Sequence, residues 1–465
     1  MKSLRGSFRP FLAIAMSALM TCAVLLCAFA TTNAQASFAT FNVGDKFALM
    51  GEQDLDIEIY SKNKLFSFGD EEQDWFRNAV IDNASLNGYI RSVMVCEILE
   101  VTDTEYVMKI VAAQNLTLNA ELLATGELVE EGSYIEDWWY TGPENPDGLL
   151  NLSEANTAVA QFGFTAQLVL GAHETFLVHL QKSDMAVKSV EIDARAYARG
   201  HVDVKNIPDV DRYYRNYTDF INITSYKSFS SDVSLDLSLS GDLDFDPYLT
   251  LVRDGPAVNS TWEVETTING TFSWTGILDI TGLPAEIEDN IFGSDAEEHG
   301  ITGFPLDLAK IYGIGPIDNG TLEIPGMYAS FELCNLGNKA IDDPVYGNID
   351  IYRLGFNNAT ERNFFQLWYY PAKGYLVGME LKYPLPIISN MNLNIGMKSV
   401  PVADAEKSIS GISGQIDDKQ TYDQVNAASP KGGDSPMDLL PIIALVAVGA
   451  IAVVGIVFFM KRKKA

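Results

Sequence analysis

The segment VSLDLSLSGDLDF, residues 233–245, decides the fold class. Apolar residues occupy every odd position except Gly241, and the even positions hold serine or aspartate. A period of two is typical of a β-strand that buries one face and exposes the other to water. The segment therefore predicts either one long strand kinked at Gly241 or two strands joined by a three-residue loop.

The same alternation recurs on both sides of this segment. Residues 262–280 predict a hairpin whose loop is Ile268-Asn269-Gly270, because glycine supplies the left-handed residue that such a loop needs. Further antiparallel strands are predicted over residues 93–101, 106–112, 190–204, 364–370, 375–383 and 391–397. Helical patterns are few and cover residues 71–80, 150–160 and 284–292. We therefore expect a mainly β protein, with long antiparallel strands in one or two curved-sheet or sandwich domains and a few short helices.

One predicted strand has an unusually small buried stripe, formed by Ala194, Ala196, Ala198 and Gly200. Small side chains allow something bulky to lie against a sheet. The sequence leaves two occupants open. One is a covering helix or second sheet, and the other is a lipid or other apolar ligand.

The N-terminal residues have the pattern of a secretory signal. Lys2, Arg5 and Arg9 precede an apolar stretch over residues 11–30, and Ala34-Gln35-Ala36 fits a small-x-small cleavage site. We expect residues 1–36 to form a signal peptide, with an uncleaved N-terminal anchor as the alternative.

The C-terminal residues predict a membrane span. The segment from Leu439 to Met460 carries no charge, and about 22 helical residues cross a hydrocarbon core of about 30 Å. Four cations follow at residues 461–464, and such clusters stay on the cytoplasmic side. We expect a transmembrane helix over residues 437–460, a cytoplasmic tail over 461–465, and an extracellular ectodomain in the cell membrane.

The predicted ectodomain is acidic and rich in glycosylation sequons. The chain has a formal net charge of −30, which argues against nucleic acid as a partner. Its N-x-S/T sequons all lie between the two apolar ends, and they exceed the number expected by chance. They begin at Asn83, Asn115, Asn151, Asn216, Asn222, Asn259, Asn269, Asn319 and Asn358.

The expected ectodomain holds two cysteines, Cys96 and Cys334, which either form one disulfide or remain two buried thiols. Without a disulfide framework, this long region must bury its own cores. We expect one β-rich unit over residues 37–215 and a second over 216–400. Residues 401–436 are rich in Ser, Gly, Asp and Lys and predict a flexible polar stalk.

The sequence contains none of the common catalytic motifs: no G-x-S-x-G, Walker A, G-x-G-x-x-G or C-x-x-C. The candidate metal-ligating histidines are His173, His179 and His201. We interpret them as surface or core residues and not as a zinc site, because neither a cysteine nor H-E-x-x-H spacing accompanies them. Asp242, Asp244 and Asp246 resemble the start of a calcium loop that Pro247 interrupts. We expect no enzyme activity, no metal and no cofactor.

Several segments carry a resemblance. VGDKF (43–47), DFDPYL (244–249), NSTWEV (259–264) and the C-terminal anchor together resemble uncharacterised archaeal membrane-anchored cell-surface proteins. WYYPAKGY (368–375) belongs to the same resemblance and is similar to a hairpin in the curved sheets of LolA/LppX-type lipid carriers. The first resemblance implies a β-rich surface protein, and the second implies a lipid held against a curved sheet.

Together these features predict a non-catalytic cell-envelope glycoprotein, anchored by a single span, with a binding, adhesion or surface-layer role. Its partners would be other envelope proteins, glycans or a lipid. The alternative is a carrier or sensor of a lipid or other apolar ligand in a curved β-sheet.

Overall fold

A computed structural model describes residues 41–59, 64–68, 76–129, 157–215, 218–250, 260–282, 315–356, 365–384 and 392–428. These residues form a mainly β structure, as predicted, with two short helices. The strands are β1 (Lys46–Ile59), β2 (Lys64–Phe68), β3 (Phe76–Val101), β4 (Glu105–Val129), β5 (Thr157–Gln181), β6 (Val187–Arg215), β7 (Thr218–Leu249), β8 (Thr261–Thr281), β9 (Gly315–Asp343), β10 (Gly347–Phe356), β11 (Phe365–Tyr370), β12 (Tyr375–Pro384) and β13 (Asn392–Ser399). The helices are α1 (Val402–Asp417) and α2 (Tyr422–Ala428).

All strands belong to one antiparallel sheet, in which consecutive strands from β3 to β13 are neighbours. The sheet closes on itself because β1 pairs on one side with β3 and on the other with β13. Leu49 lies opposite both Met94 of β3 and Ser399 of β13. The sheet therefore has an interior face and an outer face.

Closure is confined to one end of the sheet, which we call the base. β13 pairs with β1 only at Leu49 and Met50, and β10 pairs with β9 only along Leu333–Asp343. Above the base, β3 to β9 continue as strands of 21 to 32 residues, whereas β10 to β13 have 6 to 10 residues. Among the described residues, the upper sheet is a tall curved wall with free edges.

The main hydrophobic core fills the interior at the base and draws on every strand except β2. Aromatic rings pack where β1, β4 and β12 meet. The ring of Tyr375 stacks on Phe47 with centroids 4.8 Å apart and on Phe41 at 6.0 Å. Phe41 also meets Tyr106 edge-on at 5.3 Å, which is a favourable aromatic geometry. The base is thus solidly packed.

The outer face of β1 and β3 to β6 is covered by α1. Its buried residues Ala405, Ile409, Ile412 and Ile416 are three or four positions apart and so form one helical face. They pack with Val425 of α2 on a second cluster that includes Ala48, Val93, Val95, Ala113 and Val169.

Polar contacts hold both ends of α1, and a third contact holds Lys419, two residues beyond its C-terminus. Lys46 Nζ lies 3.1 Å from a carboxylate oxygen of Glu406, and Arg195 Nη1 lies 2.8 Å from Asp417. Lys419 Nζ lies 2.6 Å from Asp236. The flexible stalk predicted for residues 401–436 is therefore wrong over 401–428. The overall polar composition of this segment hides apolar residues spaced three or four positions apart, which form the helical face that docks on the sheet. Residues 429–436 lie outside the described part.

The long strand predicted over residues 233–245 is confirmed, because β7 passes through Gly241 without a loop. The hairpin predicted around Asn269 is wrong, since β8 continues through it and pairs with β7 and β9. Glycine is needed there for close packing: a Cβ on Gly270 would lie 2.2 Å from the carbonyl oxygen of Asp242.

The other predicted strands, over residues 93–101, 106–112, 190–204, 364–370, 375–383 and 391–397, correspond to β3, β4, β6, β11, β12 and β13. The helices predicted over 71–80 and 150–160 are wrong for residues 76–80 and 157–160, which pair as strands. The helix predicted over 284–292 lies outside the described residues.

The sheet continues across the expected unit boundary at residues 215 and 216. β6 and β7 pair on both sides of it, and the main core contains residues from both expected units. No helix in the described ranges is both long and apolar enough to cross a membrane. The segment from Leu439 to Met460 lies outside those ranges.

Gly171 provides a test of the packing beneath α1. A Cβ there would lie 2.3 Å from Cε1 of Tyr197 and 3.2 Å from Cγ1 of Ile416. Gly171→Ala is therefore expected to lower the free energy of unfolding by about 1–3 kcal/mol, measured by urea denaturation. Gly411→Ala is the matched control, because nothing lies within 4 Å of its added Cβ. Equal stability of the two variants would contradict this packing.

Candidate ligand-binding interior

The interior face continues above the core as a mostly aliphatic surface, which we call the upper interior. Side chains alternate along a strand, so the positions that continue the core phase of β5, β6 and β7 share this face. They are Leu168, Leu170, Ala172 and Glu174 of β5, Ala194, Ala196, Ala198 and Gly200 of β6, and Val233, Leu235, Leu237 and Leu239 of β7.

The register places these residues in cross-strand rows. Leu170 pairs with Ala198, which pairs with Leu235. One row lower, Ala172 pairs with Ala196, which pairs with Leu237. Ala198 and Gly200 thus lie between larger aliphatic side chains, and Ala172 and Ala196 continue the row of small residues as a shallow channel along the middle of the wall.

Solvent reaches this channel. Leu168, Leu170, Ala196, Leu235 and Leu237 are only half-buried. Gln114 of β4, which faces the same side opposite Ala172, is exposed. At this level the outer face of β4 is covered, since Ala113 and Thr117 are each 1% exposed. The described residues therefore leave partly exposed aliphatic side chains along this channel.

α1 does not cover the alanine stripe. Tyr197, between Ala196 and Ala198, points to the outer face and packs in the cluster beneath α1. The stripe points the opposite way, toward the interior. The covering helix that the sequence left open thus exists but lies on the other face. In the part of the chain that the structure describes, no second sheet covers the stripe.

Glu174 marks the border between the core and the upper interior. It is the next residue above the core residue Phe176 on the same face of β5, two positions earlier in the chain. It lies between Ala112 of β4 and Ala194 of β6. Its Oε2 atom is buried without a hydrogen-bond partner. Burial raises the pKa of this carboxyl from 4.5 to about 7.

Cys96 and Cys334 are buried as free thiols in β3 and β9. The sequence left open a disulfide or two buried thiols, and the structure has Cys96 and Cys334 as two separate buried thiols. Burial raises the pKa of the Cys96 thiol well above its usual value. A buried thiol held in the neutral form is unreactive, so Cys96 contributes packing.

The histidines lie apart from the upper interior. His173 and His179 point to the outer face of β5, and burial lowers the pKa of His173. His201 Nδ1 lies 2.6 Å from Asp232, and that hydrogen bond raises the pKa of His201. Among the described residues, no group of three metal-ligating side chains is found.

The sequons differ in accessibility. Asn115 is 5% exposed beneath α1, where its Nδ2 donates a hydrogen bond of 2.6 Å to Gln415 Oε1. Asn83 is half-buried, and Asn269 is exposed. Asn222 and Asn319 lie in strands whose side chains are not described there, and Asn151, Asn216, Asn259 and Asn358 lie outside the described residues. Asn115 stays a possible glycosylation site of the sequence, although docking of α1 buries its side chain in the folded protein.

Glycopeptide mass spectrometry of the protein from a glycosylating host tests this difference. Asn269 is expected to carry a glycan, because its side chain is exposed and only its Oδ1 is engaged, accepting from the Gly326 backbone N–H at 3.0 Å. Asn115 is expected to stay unmodified in the folded protein. A fully occupied Asn115 would show that α1 is not docked when the chain is glycosylated.

Comparisons with known proteins find no matching family model, no matching curated protein and no matching solved structure. The geometry of the sheet and the sequence patterns at the two chain termini therefore carry the functional argument.

Proposed function

We propose that this chain is a non-catalytic, membrane-anchored cell-envelope protein that carries or senses a lipid or other apolar ligand in its upper interior. The observation that carries the proposal is the aliphatic channel in which Ala194, Ala196 and Gly200 are only half-buried and Ala198 is buried between them. Apolar surface in contact with water costs about 25 cal/mol per Å², so an alkyl chain that fills the channel gains that free energy.

The shape of the sheet favours a long, flexible occupant. The base is closed and packed, whereas the upper wall has free edges along β9 and β1 in the described residues. An alkyl chain could enter from the side or from above without unfolding the base. The lipid-carrier resemblance of the hairpin at residues 368–375 points to the same class of ligand.

The expected membrane anchor places this channel near a source of lipid. α2 ends at Ala428, and the expected span begins at Leu439. About ten connecting residues reach at most about 35 Å. In this proposal the signal peptide is removed, residues 461–465 remain cytoplasmic, and the sheet is held close to the extracellular surface of the cell membrane.

A second function, adhesion or a surface-layer role, is favoured by the sequons and the acidic balance of the chain. A glycosylated, strongly acidic exterior suits contact with other envelope components or glycans. A lattice protein is expected to be among the most abundant proteins of isolated envelopes. Low abundance there would remove the lattice version of this function.

Mass spectrometry of co-purified lipid tests the carrier function. Both main hydrophobic clusters lie between Phe41 and Val425, so a chain of residues 37–436 contains the whole described fold. Purified without detergent, this chain is expected to hold close to one lipid per molecule. Ala196→Phe, which fills the channel, is expected to reduce bound lipid about tenfold or more.

Glu191→Phe is the matched control, because it adds the same ring at an exposed outer position of β6. This variant is expected to retain the lipid of the unmodified chain. Absence of lipid from all three proteins would contradict the carrier function. Equal lipid in all three would place the lipid outside the channel.

A further inference from the structure

The lower end of the upper interior holds a polar pair in otherwise aliphatic surroundings. Glu174 and Gln114 face the interior on neighbouring strands, one row apart. Gln114 is exposed to the solvent that enters the channel, whereas Oε2 of Glu174 is buried and unpartnered. A ligand lying along the alanine stripe would reach this pair with its lower end.

A buried carboxyl without a partner is costly for the folded protein, because it has lost its hydrogen bonds to water and gained none. Its direct cross-strand partners, Ala112 and Ala194, have only methyl side chains and supply no hydrogen-bonding group. A ligand group that pairs with this carboxyl would remove the cost. The site is therefore incomplete without a hydrogen-bond donor.

Resting on the proposed function, we propose that the upper interior binds amphiphiles with a primary aliphatic amine, whose ammonium group pairs with Glu174. The alkyl chain lies along Ala196, Ala198 and Gly200, and the Gln114 side-chain oxygen accepts a second ammonium hydrogen bond. Lipids with an aminoalkyl headgroup and simple long-chain amines share this chemistry.

An amine fits better than the other common polar ends of an amphiphile. A carboxylate would place a second negative charge beside Glu174, which is repulsive at low dielectric. A hydroxyl supplies one hydrogen bond but no charge, and a quaternary ammonium supplies charge but no donor. A primary ammonium supplies both, and charge-assisted hydrogen bonds are about twice as strong as neutral ones.

Proton release is a second consequence. The groups facing Glu174 from its own and the neighbouring strands carry no charge: Phe176, Ala172, Ala112, Gln114, Ala194, Met94 and Leu239. Burial raises the pKa of Glu174 to about 7, so the carboxyl of the ligand-free protein is mostly protonated at pH 6. When an alkylammonium ion binds, the carboxyl becomes a carboxylate in the ion pair, and its proton passes to the solvent.

Calorimetric titration with decylamine and with 1-decanol tests this inference on the chain of residues 37–436. Salt at 0.5 M screens the acidic outer surface. We expect decylamine to bind about tenfold or more tightly than 1-decanol, as one charge-assisted hydrogen bond implies. In Glu174→Gln the two affinities become equal, whereas the control Glu191→Gln keeps the difference. At pH 6, titrations in buffers of different ionisation enthalpy should show nearly one proton released by the unmodified chain and none by Glu174→Gln.

The outcomes separate the two proposals. Equal binding of both probes to the unmodified chain, or an unchanged preference for decylamine in Glu174→Gln, would overturn the amine site and leave the carrier function standing. Failure of both probes to bind the unmodified chain would overturn the carrier function and the amine site with it.

Discussion

Glu174→Gln is expected to stabilise the folded protein above pH 7 by about 3 kcal/mol. Burial raises the pKa of this carboxyl from 4.5 in the unfolded chain to about 7 in the folded protein. The native state therefore favours the protonated form. The contribution of the protonated carboxyl to the free energy of unfolding is fully present below about pH 4.5 and is lost as the pH rises through about 7. Glutamine does not ionise, so the Glu174→Gln variant does not lose stability in this way.

Urea unfolding at pH 5, 6, 7 and 8 measures this effect. The difference in unfolding free energy between Glu174→Gln and the unmodified chain should be smallest at pH 5, grow through pH 7 and level off above it. Glu191→Gln should follow the unmodified chain at every pH, because Glu191 is exposed on the outer face. A pH-independent difference for Glu174→Gln would show that Glu174 is not buried in the folded protein.

Ile412→Asp is expected to cost about 4 kcal/mol or more and to release α1 from the sheet. Ile412 is 2% exposed and packs in the cluster on the outer face with Val93, Val95 and Val169. An aspartate there would bury a charge without a partner. Limited proteolysis of the chain of residues 37–436 should then cut between residues 402 and 428, whereas these residues should resist cleavage in the unmodified chain.

Ser410→Asp is the matched control, because residue 410 lies two positions away on the exposed face of the same helix. It should leave both the unfolding midpoint and the cleavage pattern close to those of the unmodified chain. If Ile412→Asp gave the same pattern as this control, the docking of α1 on the sheet would be contradicted.

Local patterns predicted the strands but not their closure. The alternation over residues 233–245 predicted β7 because side-chain phase is a local property of a strand. The pairing of Leu49 with Ser399 joins residues at opposite ends of the fold, and no local signal in either segment indicates it. Asn269-Gly270 resembled a turn, although glycine serves there for close approach to Asp242.

The candidate site was predicted in part. The small residues from Ala194 to Gly200 indicated a surface that accepts something bulky, and the structure places them on the interior face. The sequence patterns did not single out Glu174. The sequence does contain a signal for it, because Glu174 is the one acidic position in a series of alternate residues that is otherwise apolar. The other members of this series, which share one face of β5, are Leu170, Ala172, Phe176, Val178 and Leu180.

The most direct test of an apolar ligand in the upper interior is quenching of tryptophan fluorescence by 10-bromo-1-decanol. Trp274 of β8 lies in the same cross-strand row as Leu239, Ala194 and Glu174. A neutral probe keeps this test independent of the charge at Glu174. We expect saturable quenching of the chain of residues 37–436, a smaller effect in Trp274→Phe, and none that saturates in Ala196→Phe. Quenching that never saturates, or that is unchanged by Ala196→Phe, would contradict an apolar binding site inside the sheet.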